Sequence, residues 1–377
     1  MPYILFDAGD AVDAYIPLLE SALRDAAQRM DVAMSPRGVH PLVSDIIISH
    51  RHHDHHAGLP SVLSLLHILG TEVLQSVQKG SSFASTTGDR YSPPRIHKFP
   101  SIIGRKVPLF SAEAEGATFE STLEVISRLS PVLFEHASSG EITSVTTTPP
   151  RPLVHDLTNK QVLTTRSSAP IELKVLHTPG HTTDSISLLL PSEGAMFSAD
   201  TVLGEGTAVF EDLAAYMSSL GRMSEEGRQM LSSLPVPDKA DDEGKLRIYP
   251  GHGPVLEDGL KAVETYISHR AEREVQILSL LPTLPEVQDQ DPSSEESPTA
   301  LNVKNSATIG SIVRTIYAKY PPTVWPAAER GIWLHLEKLE LEGRVVRIPS
   351  AATSVNEAEG VEAIFKNILA GSWARTD

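Results

Sequence analysis

In the first 70 residues, short apolar segments typical of strands alternate with segments whose apolar positions recur at the spacing of a helix. Residues 3–9 and 43–48 are short apolar segments of the strand type, and residues 46–48 are three consecutive isoleucines. Residues 11–30 and 58–69 instead repeat their apolar positions at helical spacing. The order strand, helix, strand, helix favours an α/β fold with functional side chains at one edge of the sheet.

The second half of the chain continues the strand pattern and then changes to helices. We predict strands at five short apolar segments: residues 161–164, 171–176, 185–190, 195–198 and 246–249. A long helix is predicted over residues 257–281. Two shorter helices at residues 309–319 and 325–342, followed by a strand at residues 344–348, predict a winged-helix-like module.

Composition divides the chain into regions. Residues 70–152 are rich in Ser, Thr, Gly and Pro, and we interpret them as an insertion that contains one helix at residues 117–129. Residues 282–300 are rich in Pro, Ser and acidic residues, as is typical of a linker. The predicted domains are a large N-terminal domain (1–281), a winged-helix-like domain (301–350) and a weakly structured tail (351–377).

The apolar segment at residues 43–48 leads directly into a cluster of histidines. His50, His52, Asp54 and His55 form the pattern His-x-His-x-Asp-His. Imidazole is the commonest side-chain ligand of metals in proteins, and zinc also accepts carboxylate oxygen. The spacing therefore suggests two adjacent metal positions, one supplied by His50 and His52 and the other by Asp54 and His55.

Three further residues of the ligand type stand on tight turns or at strand ends. His181 follows a Thr-Pro-Gly turn, Asp200 ends a short apolar strand, and His252 lies between two glycines. Ligands on constrained turns at strand ends are held more rigidly than ligands on loose loops. We expect these three side chains to complete the metal site.

The composition excludes several kinds of chemistry. The 377 residues include no cysteine, which rules out disulfides, cysteine-bound zinc and a thiol nucleophile. The net charge of −16 disfavours broad binding to a polyanion, although residues 303–350 hold seven Lys and Arg against four Glu. No apolar segment reaches the length of a membrane span, so we expect no membrane partner. Without a visible targeting signal we expect the cytoplasm, or the mitochondrion if the N-terminus is truncated.

These residues resemble the metallo-β-lactamase superfamily. The matching segments are residues 50–55, 178–181, 199–213, 249–254 and 266–270. They are most similar to the subgroup that holds the mitochondrial β-lactamase-like endoribonuclease and the fungal polyketide thioesterases of the metallo-β-lactamase type. The resemblance implies that residues 1–281 are a catalytic domain with the fold of an αββα sandwich.

The resemblance also implies a dinuclear zinc centre. The first zinc would bind three histidines: His50, His52 and His181. The second would bind one carboxylate and two histidines: Asp54, His55 and His252. Asp200 would bridge the two ions, and Asp7 matches the family's aspartate that orients a ligand histidine. Manganese or iron is also compatible with such a His/Asp set.

Hydrolysis is the chemistry that this site implies. Two adjacent zinc ions lower the pKa of a bridging water to roughly 7, which gives hydroxide at neutral pH. The hydroxide would attack a carbonyl carbon or a phosphorus. We expect Asp54 to be a ligand and also the catalytic proton acceptor.

The chain departs from the family pattern in three places. The family has a hairpin before the strand that leads to Asp7, and we expect these first strands to be missing. Ser185 stands where the subgroup commonly has a histidine, and Ala57 replaces a usual glycine. None of these departures removes a predicted ligand.

Three functions remain open. The favoured one is hydrolysis of a thioester or ester of a small molecule or a carrier-bound acyl chain, as in secondary-metabolite thioesterases. It is favoured because the acidic segment at residues 204–212, close to Asp200, would repel a phosphate backbone. The alternatives are a single-stranded RNA endoribonuclease and an inactive, truncated family member. The pattern predicts neither the substrate-binding residues nor the oligomeric state.

Overall fold

Two β-sheets packed face to face form the frame of the protein. The computed structural model describes ten parts of the chain: residues 3–29, 43–80, 93–101, 118–129, 154–165, 170–234, 244–282, 306–348, 369 and 371–376. Most of the predicted insertion, nearly all of the predicted linker and most of the predicted tail lie outside these residues.

The first sheet is parallel throughout. Its strands are β1 (Tyr3–Phe6), β2 (Val43–Ile48), β3 (Arg95–Lys98) and β4 (His155–Asp156), in the spatial order β1-β2-β3-β4. Its outer face packs against α1 (Tyr15–Arg29), α3 (Leu59–Gly80) and α4 (Phe119–Ser127). The short helix α2 (His53–His56) follows β2 and contains part of the histidine cluster.

The second sheet is antiparallel except for its last pair. Its strands are β5 (Val162–Thr164), β6 (Glu172–His177), β7 (Ile186–Leu190), β8 (Ala195–Ala199) and β9 (Arg247–Pro250), in that spatial order. Its outer face packs against α5 (Leu213–Ser232) and α6 (Gly259–Leu280).

The consecutive isoleucines of β2 show why this arrangement forms. Ile46 and Ile48 pack against the helices on one side, while Ile47 packs between the sheets with Val175 and Leu188. A strand that is buried on both faces needs apolar residues at every position instead of alternation. The layers are therefore helix, sheet, sheet, helix, and the predicted αββα fold class is confirmed.

A small C-terminal unit packs on the outer side of the second sheet. It contains α7 (Ile309–Ile316), α8 (Trp325–Leu341) and a three-stranded sheet of β10 (Ala307–Thr308), β11 (Val345–Ile348) and β12 (Ser372–Arg375). Its apolar side chains share one core with α5 and α6. Among the helices in the described ranges, none has the length and apolar character needed to cross a membrane.

Two expectations about regions need correction. Residues 372–375, in the predicted weak tail, form β12, and Trp373 is almost fully buried between β10 and β11. Residues 95–98, in the predicted insertion, form β3 in the interior of the first sheet. Their sequence hides the strand because it is largely polar, and Arg95 and His97 are accommodated by ion pairs with Asp45, each at 2.7 Å.

Candidate metal centre

The predicted ligands meet at one edge of the sandwich, beyond the carboxyl ends of four strands. His50 follows β2, His181 follows β6, Asp200 directly follows β8, and His252 follows β9. Side chains that leave several strands at the same edge converge without long loops. The structure thus brings together all seven residues that the sequence singled out as ligands.

Three imidazoles form the first group. The Nε2 atom of His50 lies 3.0 Å from Nδ1 of His52, and Nε2 of His181 lies 3.0 Å from the first and 2.8 Å from the second. His50 and His181 are buried. The three nitrogen atoms form a small triangle, which is the arrangement that a tetrahedral metal ion needs on one side.

A more open group lies beside the first. Asp54 Oδ2 is 3.0 Å from His252 Nε2 and 3.5 Å from His55 Nε2. The side chains of Asp54 and His252 are 39% and 48% exposed, so this side of the site faces solvent. A substrate can therefore reach the site from the Asp54 and His252 side.

Asp200 lies between the two groups. Its Oδ1 atom is 3.4 Å from His55 Nε2, and its Oδ2 atom is 3.6 Å from His181 Nε2 and 3.4 Å from His252 Nε2. Gly251 allows this approach, because a Cβ atom at that position would lie 2.3 Å from Asp200 Oδ1. The carboxylate is thus placed to contact ions in both groups.

Hydrogen bonds on the outer side of the histidines fix which nitrogen faces inward. His181 Nδ1 donates to the carbonyl of Val209 at 2.7 Å, and His55 Nδ1 donates to Asp7 Oδ2 at 2.7 Å. His50 Nδ1 lies 2.9 Å from the hydroxyl of Ser49, which itself donates to Asp7 Oδ2 at 2.8 Å. In each case Nδ1 is engaged on the outer side, and Nε2 faces the centre of the site, where it can bind a metal ion.

Asp7 is held in an unusual backbone conformation. Its φ is 64°, in the left-handed region that aspartate tolerates better than most residues. This turn directs the carboxylate back onto the histidine segment, where Oδ1 also accepts the backbone N–H of Ser49 at 2.7 Å. The structure therefore places the Asp7 carboxylate behind His55, one of the predicted ligands.

The electrostatics keep the first group uncharged. Burial, together with the neighbouring His181 and Arg51, lowers the pKa of His52 to about 4. Burial also lowers the pKa values of His50 and His181, that of His50 well below its ordinary value. Neutral imidazole is the form that binds metal.

The second group instead attracts positive charge. Burial opposes a charge on His55, but the carboxylates of Asp7, Asp200 and Asp54 outweigh it and raise its pKa well above the usual value. The neighbouring His55 imidazole, whose Nε2 lies 3.5 Å from Asp54 Oδ2, holds the pKa of Asp54 well below its ordinary value. Three carboxylates around one imidazole thus favour a cation at this position.

The residues present fit a pair of metal ions. Among the described residues, His55 Nε2 and Asp200 Oδ1 are buried and have no hydrogen-bond partner. Buried polar atoms normally have a partner, and both atoms point into the group where an ion would bind. The donor set of imidazole nitrogen and carboxylate oxygen suits zinc and also iron or manganese.

Ser185 does not act as a substitute for the histidine of the subgroup. Its side chain is buried, and its hydroxyl lies 3.1 Å from the backbone nitrogen of Thr182 and 2.7 Å from Thr182 Oγ1. It stabilises the turn that carries His181. His53 and His56 also point away from the site, towards Asp10 and Thr122.

Three charged residues beside the ligands were not predicted as site residues. Arg51 lies between two predicted ligands, Asp184 follows the His181 turn, and Glu211 lies in one of the segments that carry the resemblance. The side chains are largely buried, with exposed fractions of 12%, 0% and 6%. In the sequence, only the position of Arg51 between two predicted ligands indicates a role at the site.

Comparisons with known proteins show what this chain is similar to. Residues 308–353 match the family model of the Beta-lactamase associated winged helix domain. A "Beta-lactamase-like protein 2 homolog" of Drosophila melanogaster is 38% identical over 192 residues, which cover 51% of this chain and 52% of the fly protein. An "Atrochrysone carboxyl ACP thioesterase" of Aspergillus chevalieri is 32% identical over 152 residues, 40% of this chain and 40% of the fungal protein.

A solved structure also aligns with the chain. A Beta-lactamase domain protein from Burkholderia ambifaria aligns with 100% of this chain and 83% of its own, at 15% identity and a TM-score of 0.49. The chain spans about half the length of the curated relatives that it matches. The sequence matches confirm the resemblance to the metallo-β-lactamase superfamily and its two subgroups, and they confirm the winged-helix prediction.

Proposed function

We propose that this chain is a dinuclear zinc hydrolase that cleaves a thioester or ester bond of a small molecule or of an acyl chain on a carrier. His50, His52 and His181 would hold the first zinc. Asp54, His55 and His252 would hold the second. Asp200 would contact both ions, and Asp7 would orient His55. The thioesterase name of the Aspergillus relative supports the acyl part of the proposal.

An apolar cavity next to the ligands is the observation that carries this choice. A cavity of about 530 Å³ lies between the two sheets, with Asp54, His55 and His252 at one end. This volume is within the range of small-molecule sites. Its walls along the strands are mainly apolar: Ile4, Phe6, Leu173, Leu188, Leu190 and Phe197. An acyl chain would bury its methylene groups there and leave its carbonyl beside the ligands.

The cavity runs along the strand direction. Asp7 and His252 follow the carboxyl ends of β1 and β9, whereas Leu190 is the last residue of antiparallel β7 and lies at the opposite end. At ~3.3 Å per residue, the stretch of β1 from Tyr3 to Asp7 extends roughly 13 Å. The far end of the cavity would therefore receive only a longer acyl chain.

The nuclease alternative has less support. A helix that binds a nucleic acid has to leave one of its faces free. In the C-terminal unit, no residue of α8 between 328 and 339 is exposed, because the helix packs against α5, α6 and α7. The lack of an exposed helix face and the net charge of −16 both disfavour an RNA substrate. RNA cleavage is therefore the alternative that the experiment below has to distinguish.

The side chains define how the reaction would proceed. When bound, two zinc ions supply a Lewis acid for the substrate oxygen and lower the pKa of a bound water. The protein holds three neutral imidazoles on the closed side of the site and leaves Asp54 and His252 open to the substrate. The Asp54 carboxylate stays ionised, as its role as a ligand requires, but its lowered pKa makes it a weak proton acceptor. Manganese or iron remains compatible with the same donors.

Thioester hydrolysis is readily measured with this chain. The protein contains no cysteine, so a thiol reagent reports only the released thiol. We expect zinc-dependent hydrolysis of acyl-N-acetylcysteamine thioesters, lost with chelator and restored by zinc. Asp200→Asn and His181→Ala should lower the rate by more than about 100-fold. His269→Ala, an exposed histidine of α6, is the matched control and should keep the rate.

The acyl chain length tests the cavity. Leu190→Trp would fill the far end of the cavity. Relative to wild type, we expect this variant to have a higher KM for the decanoyl thioester and an unchanged rate with the acetyl thioester. Val162→Trp, on exposed β5, is the control. Cleavage of single-stranded RNA without thioester turnover would support the nuclease, and a wild-type chain that binds no zinc would support the inactive alternative.

A further inference from the structure

Arg51 occupies the variable position between the predicted ligands His50 and His52. Its side chain is only 12% exposed, although its guanidinium carries a charge at every accessible pH. Burying a charge is costly unless it is paired, and an apolar residue at the same place often gives a more stable protein. Stability alone therefore does not explain why Arg51 is buried.

The partners of Arg51 lie on the other two segments that carry ligands. Its Nη2 atom donates to Glu211 Oε1 at 2.6 Å, on the segment between Asp200 and α5. Its Nη1 atom donates to Thr183 Oγ1 at 3.3 Å and lies 3.8 Å from Asp184 Oδ1, both just after His181. One guanidinium thus joins three ligand segments.

Asp184 anchors this network in the interior of the sandwich. Its side chain is fully buried and pairs with Lys98 at the end of β3. It also accepts from Thr182 Oγ1 at 2.7 Å. Burial alone would raise the pKa of Asp184, but Lys98, Thr182 and Arg51 outweigh burial and keep it lowered. Arg51 therefore faces an ionised carboxylate, Asp184, which Lys98 of β3 holds in place.

Backbone contacts show that the same segments set the position of His181. The N–H groups of Glu211 and Asp212 donate to the carbonyl of Gly180 at 2.7 and 3.1 Å. The carbonyl of Val209, two residues before Glu211, accepts from His181 Nδ1. A shift of Glu211 away from Arg51 would thus displace the outer partner of a predicted ligand.

We propose that Arg51 is a positioning residue that holds His50, His52 and His181 in register for the first metal ion through its ion pairs with Glu211 and Asp184. This inference rests on the proposed metal site, and it adds a residue that makes no contact with the metal. The planar guanidinium suits the role, because it can engage several oxygen atoms at fixed angles.

A second arginine provides the control. Arg95 is 26% exposed and pairs with Asp45 at 2.7 Å, near the beginning of β2 and thus at the end of the sandwich opposite the ligands. The Arg95–Asp45 pair is also a partly buried ion pair, and it joins two neighbouring strands. Asp45 does not lie in a segment that follows a predicted ligand. Arg95→Met should therefore have the structural cost of a lost arginine and leave zinc binding unchanged.

Zinc titration calorimetry of the metal-free protein measures the effect without any substrate. For wild type we expect two zinc sites. Arg51→Met should weaken one site by about 10–100-fold and leave the other within about twofold. Arg51→Lys should recover part of the loss, because lysine restores the charge but not the planar set of donors. Glu211→Gln should give a smaller loss at the same site and also covers the case in which Arg51→Met fails to fold.

Two outcomes separate this inference from the proposed function. If Arg51→Met and Arg51→Lys lower the melting temperature of the metal-free protein but leave both zinc constants unchanged, Arg51 is merely structural and the inference is overturned. If wild type hydrolyses no thioester, yet Arg51→Met weakens one zinc site and Arg95→Met does not, the proposed substrate is wrong and the positioning role stands.

Discussion

At the scale of single residues, Asp7 shows how a side chain behind a predicted ligand can control the site. Its carboxylate holds the Ser49 backbone and His55 Nδ1, each at 2.7 Å. Asp7→Asn keeps the shape and the left-handed backbone, which asparagine also tolerates. It removes the charge and leaves only one acceptor oxygen. We expect zinc affinity at the His55 site to fall by about 10–100-fold, measured by competition with a chromogenic chelator.

Asp10→Asn is the matched control for this variant. Asp10 lies three residues away and pairs with His53, and both side chains are substantially exposed. The contact has no link to a predicted ligand, so zinc affinity should stay at the wild-type value. Equal affinities of Asp7→Asn and wild type would show that Asp7 does not orient His55.

The residue scale also shows what the sequence could and could not predict. His50, His181 and His252 were predictable because each follows a recognisable strand or turn within a matching segment. Arg51 and Glu211 were not, because their pairing joins positions 160 residues apart. Such a contact follows from the packing of two loops, which has no local pattern in the sequence.

At the scale of elements, the turn that carries His181 depends on close packing against α5. Gly180 has a φ of +134°, and a Cβ atom there would lie 2.3 Å from the Cα of Tyr216. Gly180→Ala must therefore separate the turn from the helix. We expect it to lower the free energy of unfolding by more than about 1–3 kcal/mol and to weaken zinc binding at the His181 site.

Gly221→Ala gives the opposite expectation within the same helix. Gly221 lies in the interior of α5, is exposed, and has open space around it. Alanine favours helix by about 0.5–1 kcal/mol over glycine, so this variant should be slightly more stable and bind zinc normally. Urea unfolding and zinc titration of the two variants test the pair. If Gly180→Ala matched wild type in both measurements, the turn would not depend on this contact.

Elements were predictable where one face or both faces are apolar. The helix at residues 257–281 and the strands at 171–176 and 185–190 match α6, β6 and β7 within two residues. Helix α5 was not predicted, although Asp212 caps it and Tyr216, Leu220 and Met223 are buried at helical spacing. Its serines and acidic residues mask the period. Strand β3 was missed because ion pairs, not apolar side chains, occupy one of its faces.

At the scale of the whole molecule, the C-terminal unit and the catalytic sandwich share one core. Buried side chains of α8, such as Ile332 and Leu336, belong to the same apolar cluster as Leu220 and Met223 of α5. This union was not predictable, because the sequence marks the two regions as separate domains with a linker between them. A continuous core predicts that the two regions unfold together.

A buried ion cluster at this junction makes its stability depend on pH. Glu274 of α6 lies 2.9 Å from Lys338 Nζ, 3.6 Å from His335 Nδ1 and 3.7 Å from Arg344 Nη1. Burial alone would raise the pKa of Glu274, but His335 and Lys338 outweigh it and hold it below the usual 4.5. The ionised carboxylate therefore stabilises the folded state fully above pH 4.5, and this contribution is lost as the pH falls through the lowered value.

Glu274→Gln removes this contribution at every pH. We expect a loss of about 1–3 kcal/mol at pH 7. Below pH 4.5 the difference from wild type should shrink by at most about 1.4 kcal/mol per pH unit, the limit for one proton. Urea unfolding between pH 7 and pH 3 measures this difference, and Glu264→Gln, an exposed residue of the same helix that pairs with Arg228, is the control. A difference that stayed constant down to pH 3 would show that the Glu274 carboxylate does not join the two regions, because its protonation would then leave the junction unchanged.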